Sequence, residues 1–328
     1  MSEKLKKLGL SLPPLPTTSV GSFPKPQYLT RARIDFNNNR IDKNELTRLE
    51  RQATDEWIAY QNRAGIDVIV DGEMYRGDMV AYFAELMPGF DKGGLVRSYG
   101  NRFYHKPIII DEVKWIAPMT AEWWKYAQSK TSKPVKGMLT GPYTIMDWSF
   151  NEYYPDRKAA AMALAGCIRQ EVAALIDAGC KIIQIDEPAI SVRTDELDAA
   201  IETMHKVVDG QNAYFVTHIC YGTFEKIYPK MLEIPVDNID LELSNSDLAM
   251  LEKFREYPFT RDISFGVVDV HTHEIEDVET VKSRIKQALE YIPKEQIWID
   301  PDCGLKTRTA DESKAKLDNI VAAVRDFR

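Results

Sequence analysis

The sequence predicts an α/β fold, a single (β/α)8 TIM barrel with an arm inserted after the second strand. Three observations carry this prediction. Eight short apolar, β-branched runs recur along the 328 residues. Amphipathic segments of helical period separate them, and no composition break or internal repeat divides the chain. The runs are nearly continuous in apolar residues, the pattern of parallel strands buried on both faces. One domain over residues 1–328 is therefore expected.

The elements follow in order. Residues 1–16 are broken by Pro13, Pro14 and Pro16 and are expected to lie as an arm over the barrel or to be partly disordered. The first strand is placed near Thr17–Ser22. The helix Glu45–Ala64 follows, with Leu46, Leu49, Ala53, Trp57 and Tyr60 at helical spacing. The second strand is placed near Asp67–Glu73. Residues 74–136 form a long connection. There Arg102-Phe103-Tyr104-His105 runs into Pro107-Ile108-Ile109-Ile110, which predicts a hairpin or arm before a short helix at Ala121–Ser129. The other strands are placed near Gly137–Gly141, Ile182–Glu187, Tyr214–Cys220, Ile239–Leu243, Ile263–Val270 and Ile297–Cys303. Helices are expected at Asp156–Ala178, Asp195–Val208, Val278–Tyr291 and Ala310–Phe327, the first two closing on Gly179 and Gly210.

Composition narrows the class. Hydrophobic residues are 44% and charged residues 28%, as in ordinary globular chains. The 42 basic and 50 acidic residues leave a net charge of −8 and no basic block, so neither nucleic acid nor an anionic membrane is an expected partner. No apolar run approaches the roughly 18 residues of a membrane span, and the start does not read as a secretory signal, so a cytoplasmic location is expected. Four cysteines are too few for a disulfide scaffold and read as thiols, ligands or nucleophiles. There is no dinucleotide, P-loop or serine-hydrolase motif.

What ends each apolar run points to a site. The runs end in Gly21-Ser22, Asp71-Gly72-Glu73, Thr140-Gly141-Pro142, Asp186-Glu187-Pro188, His218-Ile219-Cys220, Glu242, His271 and Asp302-Cys303-Gly304. In a barrel those ends converge on the face where such enzymes place their chemistry. His218 and Cys220 are two apart on one strand and point the same way. Alone, His-x-Cys reads as a buried cysteine beside a satisfied histidine. With Glu242 and Cys303 it becomes a four-donor set suited to Zn2+. A metal held by two thiolates and a carboxylate is a poor source of hydroxide and a good activator of a thiol, with Glu242 the most exchangeable ligand. Glu73 and Asp186 could hold an ammonium group, and the backbone at Gly21-Ser22 a carboxylate. Together they describe a site for a zwitterionic amino acid carrying a thiol. Cys167, Cys180, Trp123 and Trp124 read as packing, His105, His205 and His273 as solvated or structural, and Glu187 as support for the barrel.

These segments resemble the catalytic C-terminal half of cobalamin-independent methionine synthase. The resemblance rests on Ser19-Val20-Gly21-Ser22-Phe23-Pro24, Asp71-Gly72-Glu73 with Asp78-Met79-Val80, Lys133 to Pro142 with Trp148-Ser149-Phe150, Ile183 to Ala189, Thr217 to Tyr221, Glu242 with Ser246-Asp247, Asp269-Val270-His271 and Pro301 to Arg308. It runs from about residue 17 to the end. It implies zinc-dependent methylation of homocysteine, with His218, Cys220, Glu242 and Cys303 as the zinc ligands. It further implies that Val20, Gly21 and Ser22 meet the homocysteine carboxylate and that Glu73 and Asp186 hold its amino group. His271 matches the family's catalytic proton-relay histidine. Trp148 matches the aromatic residue against the methyl donor, and Arg102 part of the donor-binding arm.

Three departures bear on the donor. The family's N-terminal barrel has no counterpart here, Phe103 stands where the family has cysteine, and Val192 stands where a glutamate binds the pterin ring. A valine cannot make that hydrogen bond. The chain thus resembles the short single-barrel form, for which methylcobalamin or a corrinoid protein is expected as methyl donor and partner, with 5-methyltetrahydrofolate as the alternative. Two rivals are a methyltransferase for another thiol such as coenzyme M, which offers no ammonium to Glu73 and Asp186, and a non-enzymatic zinc- or corrinoid-binding module.

Overall fold

The computed structural model describes residues 2–98, 102–222 and 224–328, with residues 98, 102 and 103 described in backbone only. Its strands are β1 (Phe90–Ser98), β2 (Arg102–Ile109), β3 (Lys136–Thr140), β4 (Phe150–Asn151), β5 (Ile182–Asp186), β6 (Tyr214–Ile219), β7 (Asn238–Leu241), β8 (Asp262–Gly266) and β9 (Ile297–Asp300). The chain is described below as two compact units. The first unit is Met1–Tyr75, Trp123–Lys136 and Asp240–Arg328, and the second is Arg76–Glu122 and Gly137–Ile239.

In the second unit the sheet order is β3-β5-β6, followed by the first residues of β7. β5 and β6 run parallel in register from Ile182↔Tyr214 to Gln184↔Val216. Every residue of β3, β5 and β6 is buried, as the apolar runs predict for strands covered on both faces. In the connection after the second predicted strand, β1 and β2 form an antiparallel hairpin from Phe90↔Ile109 to Ser98↔Arg102. β2 also pairs in parallel with β4 through Ile108↔Phe150 and Ile109↔Asn151.

In the first unit β8 and β9 run parallel from Ile263↔Ile297 to Gly266↔Asp300. The first two predicted strands are reduced to single parallel bridges, Thr17↔Ile299, Ser22↔Gly72 and Ile69↔Val135. Side chains take the place of the missing ladder bonds. Gln61 satisfies both the N–H and the C=O of Val70 at 3.0 and 2.8 Å. Thr18 Oγ1 donates to the Val68 carbonyl, and the Asp67 carboxylate accepts the Thr17 N–H. The backbone polar groups are paired, so burial costs little, but the ladder pattern is interrupted.

The expected helices form with local end signals. Asp42 caps Lys43–Ala64, and Gly65 closes it with φ +96°. Asp156 caps Arg157–Asp177, Asp277 caps Val278–Leu289, and Thr309 with Glu312 makes a capping box on Ala310–Arg325. Short helices at Glu3–Lys7, Gln27–Asn37, Ala81–Ala84, Pro142–Asp147 and Leu251–Glu256 lie outside the sequence expectation, being too short or too polar for a clear period. Within residues 2–16 the chain forms the helix Glu3–Lys7, and Leu5 and Leu15 are buried. One helix among the described residues, Arg157–Asp177, is long and apolar enough to cross a membrane by length and composition, which the expectation of no such run missed. It carries the fully buried Glu171, whose carboxylate accepts hydrogen bonds from Trp115, Met119 and Thr120, the bonding of a core helix within its unit.

Candidate active site

In the second unit, β5 delivers Asp186 and β6 delivers His218 and Cys220. Asp186 ends β5, and Gln184, two residues earlier on the same face, donates to its Oδ1 at 2.8 Å. His218 and Cys220 are both 3% exposed and share one face of the strand. The His218 carbonyl accepts the Glu187 N–H, so the two strand ends are locked together. The Cys220 carbonyl accepts Ser191 Oγ at 2.7 Å. Gly222 follows closely against that serine, since a Cβ there would stand 2.1 Å from Ser191 Cβ. Tyr221, between them, adopts φ +60°, a strained value for a tyrosine.

Glu187 supports the structure, as its alternation from Asp186 predicts. Its carboxylate accepts the N–H groups of Tyr143 and Thr144 at 3.0 and 2.8 Å and the Thr144 hydroxyl at 2.7 Å. It thereby caps the first turn of Pro142–Asp147, the helix that presents Trp148 at its C-terminal end. Burial pushes the Glu187 carboxyl up to about 7 despite those donors. The Trp148 carbonyl accepts the Tyr104 hydroxyl. The side chains of Arg102 and Phe103, which the sequence assigns to a donor-binding arm, lie outside the described residues. Val192 is 45% exposed, beside the short turn Pro188–Ser191.

In the first unit, Val20, Gly21 and Ser22 are buried at the end of the first bridging segment. The Ser22 carbonyl accepts the Leu305 N–H at 2.8 Å. Gly304 must lack a side chain, because a Cβ would stand 2.2 Å from Ser22 Oγ. Glu73 sits in a left-handed conformation with φ +57°, its N–H bonded to Asp71 Oδ1 at 2.9 Å. Strain of this kind concentrates where a side chain must be aimed.

Glu242 follows β7 directly and is 2% exposed. His271 Nε2 lies 2.5 Å from its Oε1, and Asn245 Nδ2 donates to the same oxygen at 2.7 Å. The bond to Glu242 holds His271 above the usual histidine range, while burial opposes it. Cys303 is half-buried and follows Asp302, which is fully buried. Asp302 Oδ1 accepts the N–H groups of Leu243 and Ser244, and Oδ2 accepts Ser244 Oγ and the Asn245 N–H, all between 2.6 and 3.1 Å. Burial pushes Asp302 up to about 7 against these donors. Asp302, Asn245 and Ser191 escaped the sequence assignment of site residues. Only Asp302 carried a signal, as an acid at a strand end.

The residues expected to pack do so. Cys167 and Cys180 are buried, Trp124 Nε1 donates to the Val135 carbonyl, and Trp123 stacks on Tyr75 with centroids 4.6 Å apart. His105, His205 and His273 each have a partner, in the Gly93 carbonyl, Asp209 and Glu312.

Comparison with known proteins gives a consistent answer. The solved structure of a B12-independent methionine synthase from Shewanella sp. W3-18-1, in complex with selenomethionine, is similar with a TM-score of 0.86 and 27% identity, covering 96% of this chain and 98% of that one. A putative vitamin-B12 independent methionine synthase from Listeria monocytogenes shares the fold with a TM-score of 0.78 at 22% identity, covering 97% and 99% of the two chains. A 5-methyltetrahydropteroyltriglutamate–homocysteine methyltransferase from Buchnera aphidicola subsp. Baizongia pistaciae (strain Bp) is 41% identical over 331 residues. That match takes in 97% of this chain but 44% of the Buchnera protein, so the chain spans less than half of that relative. Residues 15–326 match the family described as cobalamin-independent synthase, catalytic domain, and the chain belongs to that family.

Proposed function

We propose that this chain methylates the sulfur of homocysteine to form methionine, with a 5-methyltetrahydropteroyl-polyglutamate as methyl donor. The observation that carries the reading is the family match over residues 15–326. The expectation of methylcobalamin or a corrinoid partner protein gives way here. The family is cobalamin-independent by description, and the Buchnera relative is named for the folate donor. The Shewanella protein, of matching length, carries the B12-independent name as well.

Zinc is proposed as the resident metal, held by His218, Cys220 and Cys303 with Glu242 as fourth ligand. The donor chemistry supports this, since imidazole, two thiols and a carboxylate suit zinc rather than magnesium or calcium. Bound zinc supplies Lewis acidity that keeps the homocysteine sulfur as thiolate near neutral pH. The chain's own residues do the rest. Val20, Gly21 and Ser22 receive the carboxylate, and Glu73 and Asp186 hold the ammonium. Glu242 would complete the metal's donor set and is the ligand best suited to yield its place to the substrate sulfur. The sulfur attacks the methyl carbon in line, the carbon–nitrogen bond to the pterin breaks, and its electron pair stays on nitrogen. His271 relays the proton that neutralises it. Trp148 and Arg102 are proposed to meet the donor. A cytoplasmic location belongs to the same proposal. So does a closed (β/α)8 ring, for which the bridges Thr17↔Ile299, Ser22↔Gly72 and Ile69↔Val135 are the support within the first unit.

The test is methionine formation by zinc-loaded protein with homocysteine, comparing methyl-tetrahydrofolate as mono- and triglutamate with methylcobalamin. Turnover with the folates is expected. Turnover with methylcobalamin alone would overturn the donor, and none with either would overturn the activity.

A further inference from the structure

We infer that Asn245 is a positioning residue for the metal ligand Glu242 and that Asp302 holds it in place. The inference rests on the zinc reading above and adds two residues to it. Glu242 is buried, and its Oε1 takes a hydrogen bond from Asn245 Nδ2 at 2.7 Å beside that from His271. An amide aimed at one carboxylate oxygen fixes the rotation of the whole carboxylate about its last bond, as partners of metal ligands do.

Asn245 is itself exposed and lies in a short turn, Ser244–Ser246, that would not hold an amide in one place unaided. Asp302 supplies the rigidity. Its two oxygens accept four hydrogen bonds from Leu243, Ser244 and Asn245, the three residues directly after Glu242. Its own N–H is tied to the Val268 carbonyl at 3.0 Å. Asp302 also packs closely on the backbone of Gly266, where a Cβ would stand 2.2 Å from its Oδ1. Asp302 also directly precedes Cys303. One buried carboxylate therefore ties the turn behind Glu242 to the backbone of a second proposed ligand, and Asn245 transmits that order to the Glu242 carboxylate.

The test is zinc affinity by competition with a chromophoric chelator, with cobalt substituted for zinc as a spectroscopic probe. Because Asn245 is exposed, Asn245→Ala leaves the fold and the thermal midpoint of the metal-free protein unchanged. It is expected to weaken zinc binding about 10- to 100-fold and to shift the cobalt ligand-field bands. Asp302→Asn presents an amide to the Asn245 N–H and is expected to weaken zinc at least as much. If Asp302→Asn does not fold, Asn245→Ala decides alone. Wild-type protein binding stoichiometric zinc while Asn245→Ala binds it within twofold, with an unchanged cobalt spectrum, overturns the inference. Wild-type protein binding no stoichiometric zinc overturns the zinc reading instead.

Discussion

His271 Nε2 lies 2.5 Å from Glu242 Oε1, so the proposed proton relay and the proposed exchangeable metal ligand share one hydrogen bond. The contact gives the histidine a fixed ring orientation. Departure of a reduced pterin requires a proton on its nitrogen, whereas a corrinoid leaves without one. His271→Gln is therefore expected to lower kcat with methyl-tetrahydrofolate by about 10²–10⁴-fold, the range for loss of a general acid. KM for homocysteine and zinc content should stay near wild type. A kcat within threefold of wild type would remove His271 from the proton path.

The four cysteines divide by environment. Burial pushes Cys180 up to about 12 and Cys167 up to about 11, so both remain thiols at working pH. In metal-free native protein, iodoacetamide is expected to label the half-buried Cys303 and to spare Cys167 and Cys180 until the chain is unfolded. Zinc should protect Cys303. Cys220→Ala and Cys303→Ala should each abolish stoichiometric zinc and methyl transfer, and peptide mass mapping with metal analysis checks both expectations.

Asp186 offers a test that separates the proposed substrate binding from the proposed metal binding. Its carboxylate is oriented by Gln184 and is 8% exposed. A charged hydrogen bond to an ammonium contributes about 1.5–3 kcal/mol. Asp186→Asn is expected to raise KM for homocysteine by roughly 10- to 100-fold while zinc stays bound. Loss of zinc in this variant would place Asp186 in the metal's support.

What was legible in the sequence is what depends on strand alternation. His218 and Cys220 share a face because they are two apart, and Glu187 turns away from Asp186 because it is one apart. Buried parallel strands β5, β6, β8 and β9 read as apolar runs for the same reason. What was not legible depends on contacts between residues far apart in the chain. Nothing near Gln61 announces that its amide replaces the ladder bonds of Val70, so the second strand was expected to be longer than its bridges. Nothing near Asn245 announces that Asp302 organises its turn.

Glu187 makes stability depend on pH. Its folded pKa is raised from 4.5 to about 7, so the native state holds a proton that the unfolded chain has released in between. The stabilisation is full below the unfolded value and is lost as pH rises through the folded one. Urea unfolding should therefore show stability falling between about pH 5 and about pH 8, by an amount on the order of 3 kcal/mol for this group. Glu187→Gln cannot titrate and should flatten that slope. It should also lower stability at the acid end by about 1–3 kcal/mol, because its amide meets the N–H of Tyr143 or Thr144. An unchanged slope in the variant would assign the pH dependence elsewhere.

Val192 offers a gain-of-function test of the donor. It follows the Pro188–Ser191 turn and is 45% exposed, so a longer polar side chain there displaces no core. The family resemblance puts a pterin-binding glutamate at this position. A charged hydrogen bond to the pterin contributes about 1.5–3 kcal/mol, equivalent to roughly 10- to 100-fold in binding. Val192→Glu is therefore expected to raise kcat/KM for methyl-tetrahydrofolate by about that factor, chiefly through KM. KM for homocysteine should not move, because the proposed scheme assigns its ammonium to Asp186 and Glu73 and not to residue 192. Turnover with methylcobalamin, if any is detectable, should be unaffected. A Val192→Glu protein with folate kinetics identical to wild type would mean that the pterin lies elsewhere in this chain. The valine would then mark a different donor pose rather than a weakened one.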